Sequence, residues 1–542
     1  MRISTQQYYD TSASKYQNNY SSVVKAQEQA SSGVRVQTAG DDPVAAQRLL
    51  MLQQQKDMLA QSNGNISSLK SSLTNEQSIL DALDKAMQAG KQLALRAGGV
   101  TSDADRKSIA VEVGALEEQV LGLLNSKDAA GNYLFSGSKT QTPPYSRNAD
   151  GTYSYQGDEN ELSLQVSETL IVRTGDTGKT ILEGATNSSR TQSTYIAPAT
   201  APVPPAISPP LVDDKKVAIS AGLVTSGIDY TKQFADGQPY KLTFTSSTQY
   251  KVTDKDNNDI TSEIAGNGTF DSTKEGSASV NLRGVKFDIT IDLTDLATGP
   301  SADALVQGRE FTLAAKPDTF SVSRTASNQS TAQLTNGKVS SAADYSSTFP
   351  GNSGVLIKFS DTDPTAFQVF AQPYSADSKE IDSGFIDTAT TPNTITAAGV
   401  TFDLSGTPQT GDQFAAGAST QKTQNALDTL SQLRQALEKP ADGIPGARVK
   451  LQDALNAAVS NLGNSTTQLG NVIGSIGARE NALDVQSDAN ASIGLANTTT
   501  MSALANVDMG EAAINLTLQQ TMLEASQLAF VKVSQLSLFN KM

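Results

Sequence analysis

The sequence predicts an α+β protein: a long antiparallel helical bundle or coiled coil formed by its N- and C-terminal segments, with an inserted β-rich outer domain. Three observations carry this expectation. Proline is confined to the middle, since Pro43 is the only one before residue 143 and none follows Pro445, and proline is poorly tolerated inside helices. Both flanks repeat apolar residues every seven positions, which indicates helices packed lengthwise. The middle alternates apolar and polar residues between Gly, Pro and Asp clusters, which reads as strands and turns.

In the N-terminal flank, Tyr9, Ala13, Tyr16, Tyr20, Val23, Gln27 and Ala30 alternate in steps of four and three. A loop follows, "SSGVRVQTAGDDPVAAQRL", in which Asp42 suits an N-cap and Pro43 the first helical position. The next helix keeps a strict repeat through Ala45, Leu52, Leu59, Ile66, Leu73, Leu80, Met87 and Ala94, and Gly98–Gly99 ends it. About fifty residues make a rod of about 75 Å. A third helix carries Ile109, Val113, Leu116, Val120 and Leu123.

The C-terminal flank mirrors this pattern. Leu427, Leu430, Leu433 and Leu437 mark a short helix stopped by Pro440, and Leu455, Leu462, Leu469, Ile476 and Leu483 repeat in sevens. From Asp508 onward Leu518, Met522, Ala525, Ala529, Val533 and Leu536 fall on one face, while Leu516, Leu523, Phe530, Val531 and Leu538 fall outside it. Such a helix is apolar on more than one side, and one neighbour cannot cover it. Its charge is low, with only Asp508, Glu511, Glu524, Lys532 and Lys541, as suits a helix desolvated in a multi-subunit tube.

Between the flanks, residues 151–182 read as a β-hairpin with turn signals at Gly157–Asp158 and Gly175–Asp176. A Pro-rich connector follows. Two copies of a β module come next, about 213–330 and 331–416. "KLTFTSSTQYKV", "GVKFDITI" and "GREFTLAA" in the first answer "LIKFSDTDPTAFQV", "GVTFDLSG" and "GDQFAAGA" in the second. Phe244 to Phe287 and Phe359 to Phe402 both span 43 residues. The expected domains are therefore 1–43 with 500–542 (terminal helices), 44–185 with 417–499 (a helical rod with a hairpin) and 186–416 (the β-rich outer domain).

Composition removes several function classes. The chain has no Cys, His or Trp, so Cys–His and Ser–His mechanisms are excluded, while carboxylate chemistry and a Ser–Lys pair stay open. A net charge of −15 argues against nucleic acid as a partner. No apolar run is long enough for membrane insertion, and "MRISTQQYYD" lacks the apolar core of a cleaved signal. "TGDTGKT" lacks the first glycine of a phosphate-binding loop, because position 173 is Arg, and Gly178–Lys179 reads as a hairpin turn. "TDKDNNDITSE" lacks the glycine of a calcium loop and reads as a polar turn. Asn187-Ser-Ser is a sequon by pattern only. No catalytic, metal or cofactor constellation stands out.

Several of these stretches resemble the flagellin-like family of bacterial flagellar axial proteins. They are the "SSGVRVQTAGDDPVAAQRL" loop, "GARENALD" at Gly477, and the terminal "NVDMGEAAINLTLQQTMLEASQLAF". "MRISTQ" and "GNYLFSGSKT" resemble the hook–filament junction branch of that family more than flagellin itself. The resemblance covers about 1–185 and 420–542. It implies a structural protein without catalysis or cofactor, exported through the flagellar type III system without a cleaved signal peptide and located outside the cell. Its implied partners are hook-associated protein 1, flagellin, copies of itself and a cytoplasmic export chaperone. The alternatives are a flagellin filament subunit, a secreted adhesin working through its β-rich middle, and a generic coiled-coil scaffold. Both ends are expected to be disordered in the monomer and to order on assembly, with Tyr9, Tyr16, Tyr20, Val23, Leu516, Leu523, Phe530, Val531 and Leu538 at the subunit or partner interface.

Overall fold

A computed structural model describes residues 2–100, 102–148, 151–198, 210, 212–271, 278–292, 302–325, 328–349, 354–375, 377–419, 421–444 and 446–539. It is an α+β fold whose long helices lie at the two ends of the sequence. They are α1 (Arg2–Ser32), α2 (Pro43–Gly98), α3 (Asp103–Leu124), α4 (Ala426–Glu438), α5 (Ala447–Ala505) and α6 (Met509–Phe539). The chain divides into two compact units: Met1–Asn75, Leu162–Thr174 and Ser475–Met542 in the first, Glu76–Glu161 and Gly175–Gly474 in the second.

The seven-residue repeats are the buried seams. Ala45, Ile66, Leu73, Leu80, Met87 and Ala94 of α2 are buried, as are Leu455, Leu462, Leu469, Ile476 and Leu483 of α5. Each such Leu, Ile or Met contributes about 1.5–3 kcal/mol of transfer free energy. In the first unit α2 and α5 run antiparallel, held in register by the Lys70–Asp484 ion pair and by Asn490 Nδ2 donating to Asn63 Oδ1 at 3.0 Å. In the second unit α2 comes so close to its neighbours at Gly90 that a Cβ there would lie 2.9 Å from Leu430, 3.1 Å from Leu462 and 3.3 Å from Leu116. Only a glycine admits α3, α4 and α5 at that distance.

Two short hairpins decorate the helices. β1 (Tyr145–Arg147) pairs with β2 (Tyr153–Tyr155), and β3 (Ser163–Gln165) with β4 (Ile171–Arg173). Their turns fall at Asn148–Thr152 and Val166–Leu170, not at the two Gly-Asp pairs the sequence suggested. Those pairs are used otherwise: the Asp158 carboxylate accepts from Ser138 N at 2.7 Å, and Asp176 N donates to Glu76 Oε1 at 2.9 Å. Gly178–Lys179 is likewise not a hairpin turn. It opens a single π-helical turn, Lys179–Glu183, because Thr177 Oγ1 accepts from Thr180 N and the Gly178 carbonyl accepts from the Tyr145 hydroxyl at 2.9 Å. The β1–β2 hairpin is pinned by buried Glu117 of α3, whose carboxylate accepts from Tyr153 Oη at 2.6 Å and Arg434 Nε at 2.8 Å.

The inserted domain is a tandem duplication. The first module holds β5 (Thr191–Ile196), β6 (Val217–Ile219), β7 (Leu223–Val224), β8 (Tyr240–Ser246), β9 (Gln249–Thr253), β10 (Ala278–Leu282), β11 (Val285–Ile291) and β12 (Glu310–Ala315). The second holds β13 (Thr319–Arg324), β14 (Gln333–Val339), β15 (Val355–Phe359), β16 (Ala366–Ala371), β17 (Glu380–Phe385), β18 (Asn393–Ala397), β19 (Val400–Ser405) and β20 (Gln413–Ser419). The sheet orders are β5-β12-β8-β9 with β10-β11-β6 (β7 also on β11), and β13-β20-β15-β16-β17 with β14-β19-β18. Apart from β17 the two are one topology. Ser226 and Ser341, Tyr230 and Tyr345, Phe234 and Phe349, Phe244 and Phe359, Gly284 and Gly399, and Phe287 and Phe402 are all offset by 115 residues. Gly284 and Gly399 both have positive φ, +86° and +78°, and a Cβ on either would lie 2.7 Å from the carbonyl of its partner serine, Ser226 or Ser341. Those serines cap the following helical turns by accepting from Asp229 N and Asp344 N.

The module boundaries differ from those read off the repeat. β5 pairs with β12, so the first module begins before residue 213; β13 pairs with β20, so the second begins near residue 317. The repeated Phe motifs start only at the fourth strand of the first copy and the third of the second, and the Pro-rich connector separates β5 from its own sheet in sequence. At the root of the insertion Thr186 bridges Thr423, and Asn187 N donates to Lys422 O at 2.9 Å. Asn461 of α5 reads both strands, accepting from Ser188 N at 2.7 Å and donating to Asn187 Oδ1 at 3.1 Å on one and to Gln424 Oε1 at 3.3 Å on the other. The sequon asparagine is thus buried in a structural network.

Candidate assembly interface

The site of interest lies in the first unit, where α1 and α6 pack antiparallel. Tyr9 and Tyr16 set their rings 5.4 and 6.1 Å from the ring of Phe530. Asn19 Nδ2 donates to Ser526 Oγ at 3.0 Å and to Met522 O at 3.4 Å. Val23, Ala26 and Ala512 complete the buried seam. Leu516 and Leu523, in seven-residue steps from Phe530, share its face and are half-buried.

This differs from the faces read from spacing at Leu516, Leu523 and Phe530, while Val531 is exposed as that reading had it. The predicted stripe turns outward at Leu518 and Met522, which are 55% and 46% exposed, together with Ile514, Leu528 and Val531. A helix apolar all round has no moment to choose its inner side. The choice is made by two tyrosines and an asparagine on α1, which sequence spacing on α6 does not reveal. Of the nine interface candidates, Tyr16, Val23, Leu516, Leu523 and Phe530 are engaged in this intramolecular seam, and Tyr9 only partly. Tyr20 and Val531 are more than half exposed. The side chains of Leu538, Val533 and Leu536 lie outside the described residues.

The open apolar surface continues on other helices of the same unit. Val44, Leu50, Met51 and Met58 of α2 and Val485, Ile493 and Leu495 of α5 are exposed. Sequence reasoning missed them because it followed only the seven-residue repeat; they are the apolar residues left over from it.

The loop Gly33–Asp42 ties α1, α2, α5 and α6 together. Val34 bridges Asn506, Arg35 N donates to Ala505 O at 2.6 Å, the Arg35 guanidinium donates to Leu504 O at 3.0 Å, and Val507 N donates to Gly33 O at 3.0 Å. The break between α5 and α6 is therefore filled by backbone from the loop after α1. Asp42 caps α2 through Ala45 N at 3.0 Å, which with Arg35 holds its carboxyl below the usual range. Asp41 ion-pairs with Lys25 at 2.5 Å and accepts from Thr38 N at 2.8 Å, and both contacts depress its pKa. Among the described residues there is no cluster of three or more acidic side chains able to hold a metal, and no helix is long and apolar enough to cross a membrane.

Residues 3–140 match the family described as the bacterial flagellin N-terminal helical region. The matched stretch is about a quarter of the chain. That region contains α1, α2 and α3 and the loop that joins them to α5 and α6. The chain is also 32% identical over 190 residues to flagellar hook-associated protein 3 of Salmonella typhimurium strain LT2 and 31% identical over 190 residues to that of Escherichia coli K12. Each match covers 35% of this chain and 59% of the relative, so the chain aligns with about three-fifths of the length of each. Among solved structures, flagellar hook-associated protein 3 of Legionella pneumophila is 19% identical, with 84% of this chain and 98% of that chain covered and a TM-score of 0.45.

Proposed function

We propose that this chain is a structural axial protein of the bacterial flagellum that forms the junction between the hook, through hook-associated protein 1, and the flagellin filament. The reading rests on the flagellin N-terminal region and on relatives named flagellar hook-associated protein 3. The observation that carries its mechanism is the open face of α6. Among the described residues the α1–α6 pair fully buries few apolar side chains, while Ile514, Leu518, Met522, Leu528 and Val531 face solvent. Two helices with so small a seam are marginal alone. In the free chain both terminal segments are largely unfolded, and copies of the chain, hook-associated protein 1 and flagellin supply the missing cover on assembly. Before export, a cytoplasmic chaperone occupies the same face. The protein then travels through the flagellar type III system and takes no cofactor.

The test uses Leu518→Asp and Leu528→Asp in a strain lacking the gene. Both side chains are more than half exposed, so melting of the free protein should stay within about 0.5 kcal/mol of the parent. Assembly should fail, leaving hooks without filaments and flagellin in the medium. Restoration of full motility by both variants would exclude this face as the contact surface. Seeded growth of the purified parent into long filaments would favour a flagellin subunit over a junction protein.

A further inference from the structure

Where the first β module meets α5 beyond its root, one polar contact is a carboxylate in an unfavourable setting. Ala221, in the loop between β6 and β7, donates its N–H to Asp453 Oδ2 of α5 at 2.9 Å. Cavities of about 500 and 570 Å³ flank this contact, and both are lined by Ala221 and Asp453. Among the described residues no cation pairs with Asp453. From β11 it faces Asp288, another acid, which is itself paired with Lys286 at 3.2 Å. Lys316, just beyond β12, is near enough to favour the charge, but its ammonium donates to Ser189 O at 2.7 Å and Ser189 Oγ at 2.9 Å. The cavity walls add Lys450 from α5, Lys91 from α2, and Asp213 and Lys215, which pair with each other. Burial, reinforced by Asp288, pushes the Asp453 carboxyl up to about 6, against the Ala221 N–H and Lys316, which favour its charged form.

We propose that Asp453 is a proton-operated clasp between α5 and the first β module, tight when its carboxyl is protonated and loosened when it is ionised. The proton arrives from solvent through the flanking cavities. Held on one oxygen, it leaves the other free to accept the Ala221 N–H, and it removes the repulsion with Asp288. Undocked, the carboxyl titrates near its ordinary value of 3.8; docked, near 6. A raised carboxyl pKa favours the docked state at low pH and is a growing penalty as pH rises from about 4 through about 6. Between pH 5 and 7.5 the docking constant falls about tenfold.

Hydrogen exchange on the full chain, expressed as protection factors to remove the intrinsic pH dependence, tests this at the amides of Ala221 to Leu223. Parent protection should drop about tenfold from pH 5 to pH 7.5. Asp453→Asn, which mimics the protonated acid, should be equally protected at both. Asp288→Asn should move the midpoint of the parent's drop to lower pH. Equal protection of the parent at the two pH values overturns the proposal, as does the same drop in Asp453→Asn. If Asp453→Asn does not fold, Asp288→Asn decides: an unmoved midpoint overturns it, and a lowered one supports it.

Discussion

Replacing Glu117 with Gln changes one charge and almost no volume, so its cost isolates the electrostatics of the second unit. The carboxylate is 1% exposed and accepts from Tyr153 Oη at 2.6 Å and Arg434 Nε at 2.8 Å, with Arg147 at 3.6 Å. A hydrogen bond to a charged group contributes about 1.5–3 kcal/mol, and removing one partner of a buried ion pair costs about 3–5 kcal/mol. Two features moderate the loss. Arg434 keeps a second partner, Glu438 at 3.0 Å, and glutamine still offers an acceptor to Tyr153. The expected cost is therefore about 2 kcal/mol, or a fall in melting temperature of about 2–3 °C for a unit of this size. Thermal melting by circular dichroism measures it, and a cycle with Arg434→Gln isolates the pair: the double variant should cost less than the sum of the single ones. Strict additivity of Glu117→Gln and Arg434→Gln would refute the reasoning, because the two groups would then not interact.

Gly284→Ala and Gly399→Ala should each cost about 3 kcal/mol, since both positions combine positive φ with a Cβ 2.7 Å from a carbonyl; hydrogen exchange should show each loosening its own module and not the other. Joining Asn187 to Lys422 and deleting the residues between should leave the helices folded, because these two strands already lie side by side; unchanged helical circular dichroism per helical residue is the readout. Asp41 and Asp42 are held below their ordinary pKa by Lys25 and by backbone N–H groups together with Arg35, so their stabilisation is complete above about pH 4 and is lost as pH falls through the depressed values. In the assembled protein, where the terminal segments are ordered, proteolysis within Gly33–Asp42 should therefore accelerate in acid, and the Asp41→Asn, Asp42→Asn double variant should be cut faster than the parent at pH 7 and show less of that acceleration.

Much of the helical architecture was legible because its signals are local or strictly periodic. Proline distribution separated helix from sheet, and Leu73, Leu80, Leu462 and Leu469 are buried as their spacing requires. The duplication was legible because Phe244, Phe287, Phe359 and Phe402 are core residues with matching separations. The misread features depend on contacts remote in sequence. Which side of α6 turns inward is decided by Tyr9, Tyr16 and Asn19, about five hundred residues away in sequence and beyond the reach of periodicity. Gly175–Asp176 looks like a turn, yet Asp176 is held by Glu76, exactly 100 residues earlier. β5 and β13 were missed as first strands because each finds its partner, β12 or β20, only at the far end of its module.

That last pairing has a further consequence. A module whose opening and closing strands adjoin enters and leaves the chain at nearly the same place. It can be copied in tandem, as it has been here, without disturbing the sheet before it or the helices behind it. The number of modules carried by the helical scaffold is thus independent of the packing that builds the scaffold, and the protein's bulk can change by whole folded increments while the surfaces of its helices stay as they are.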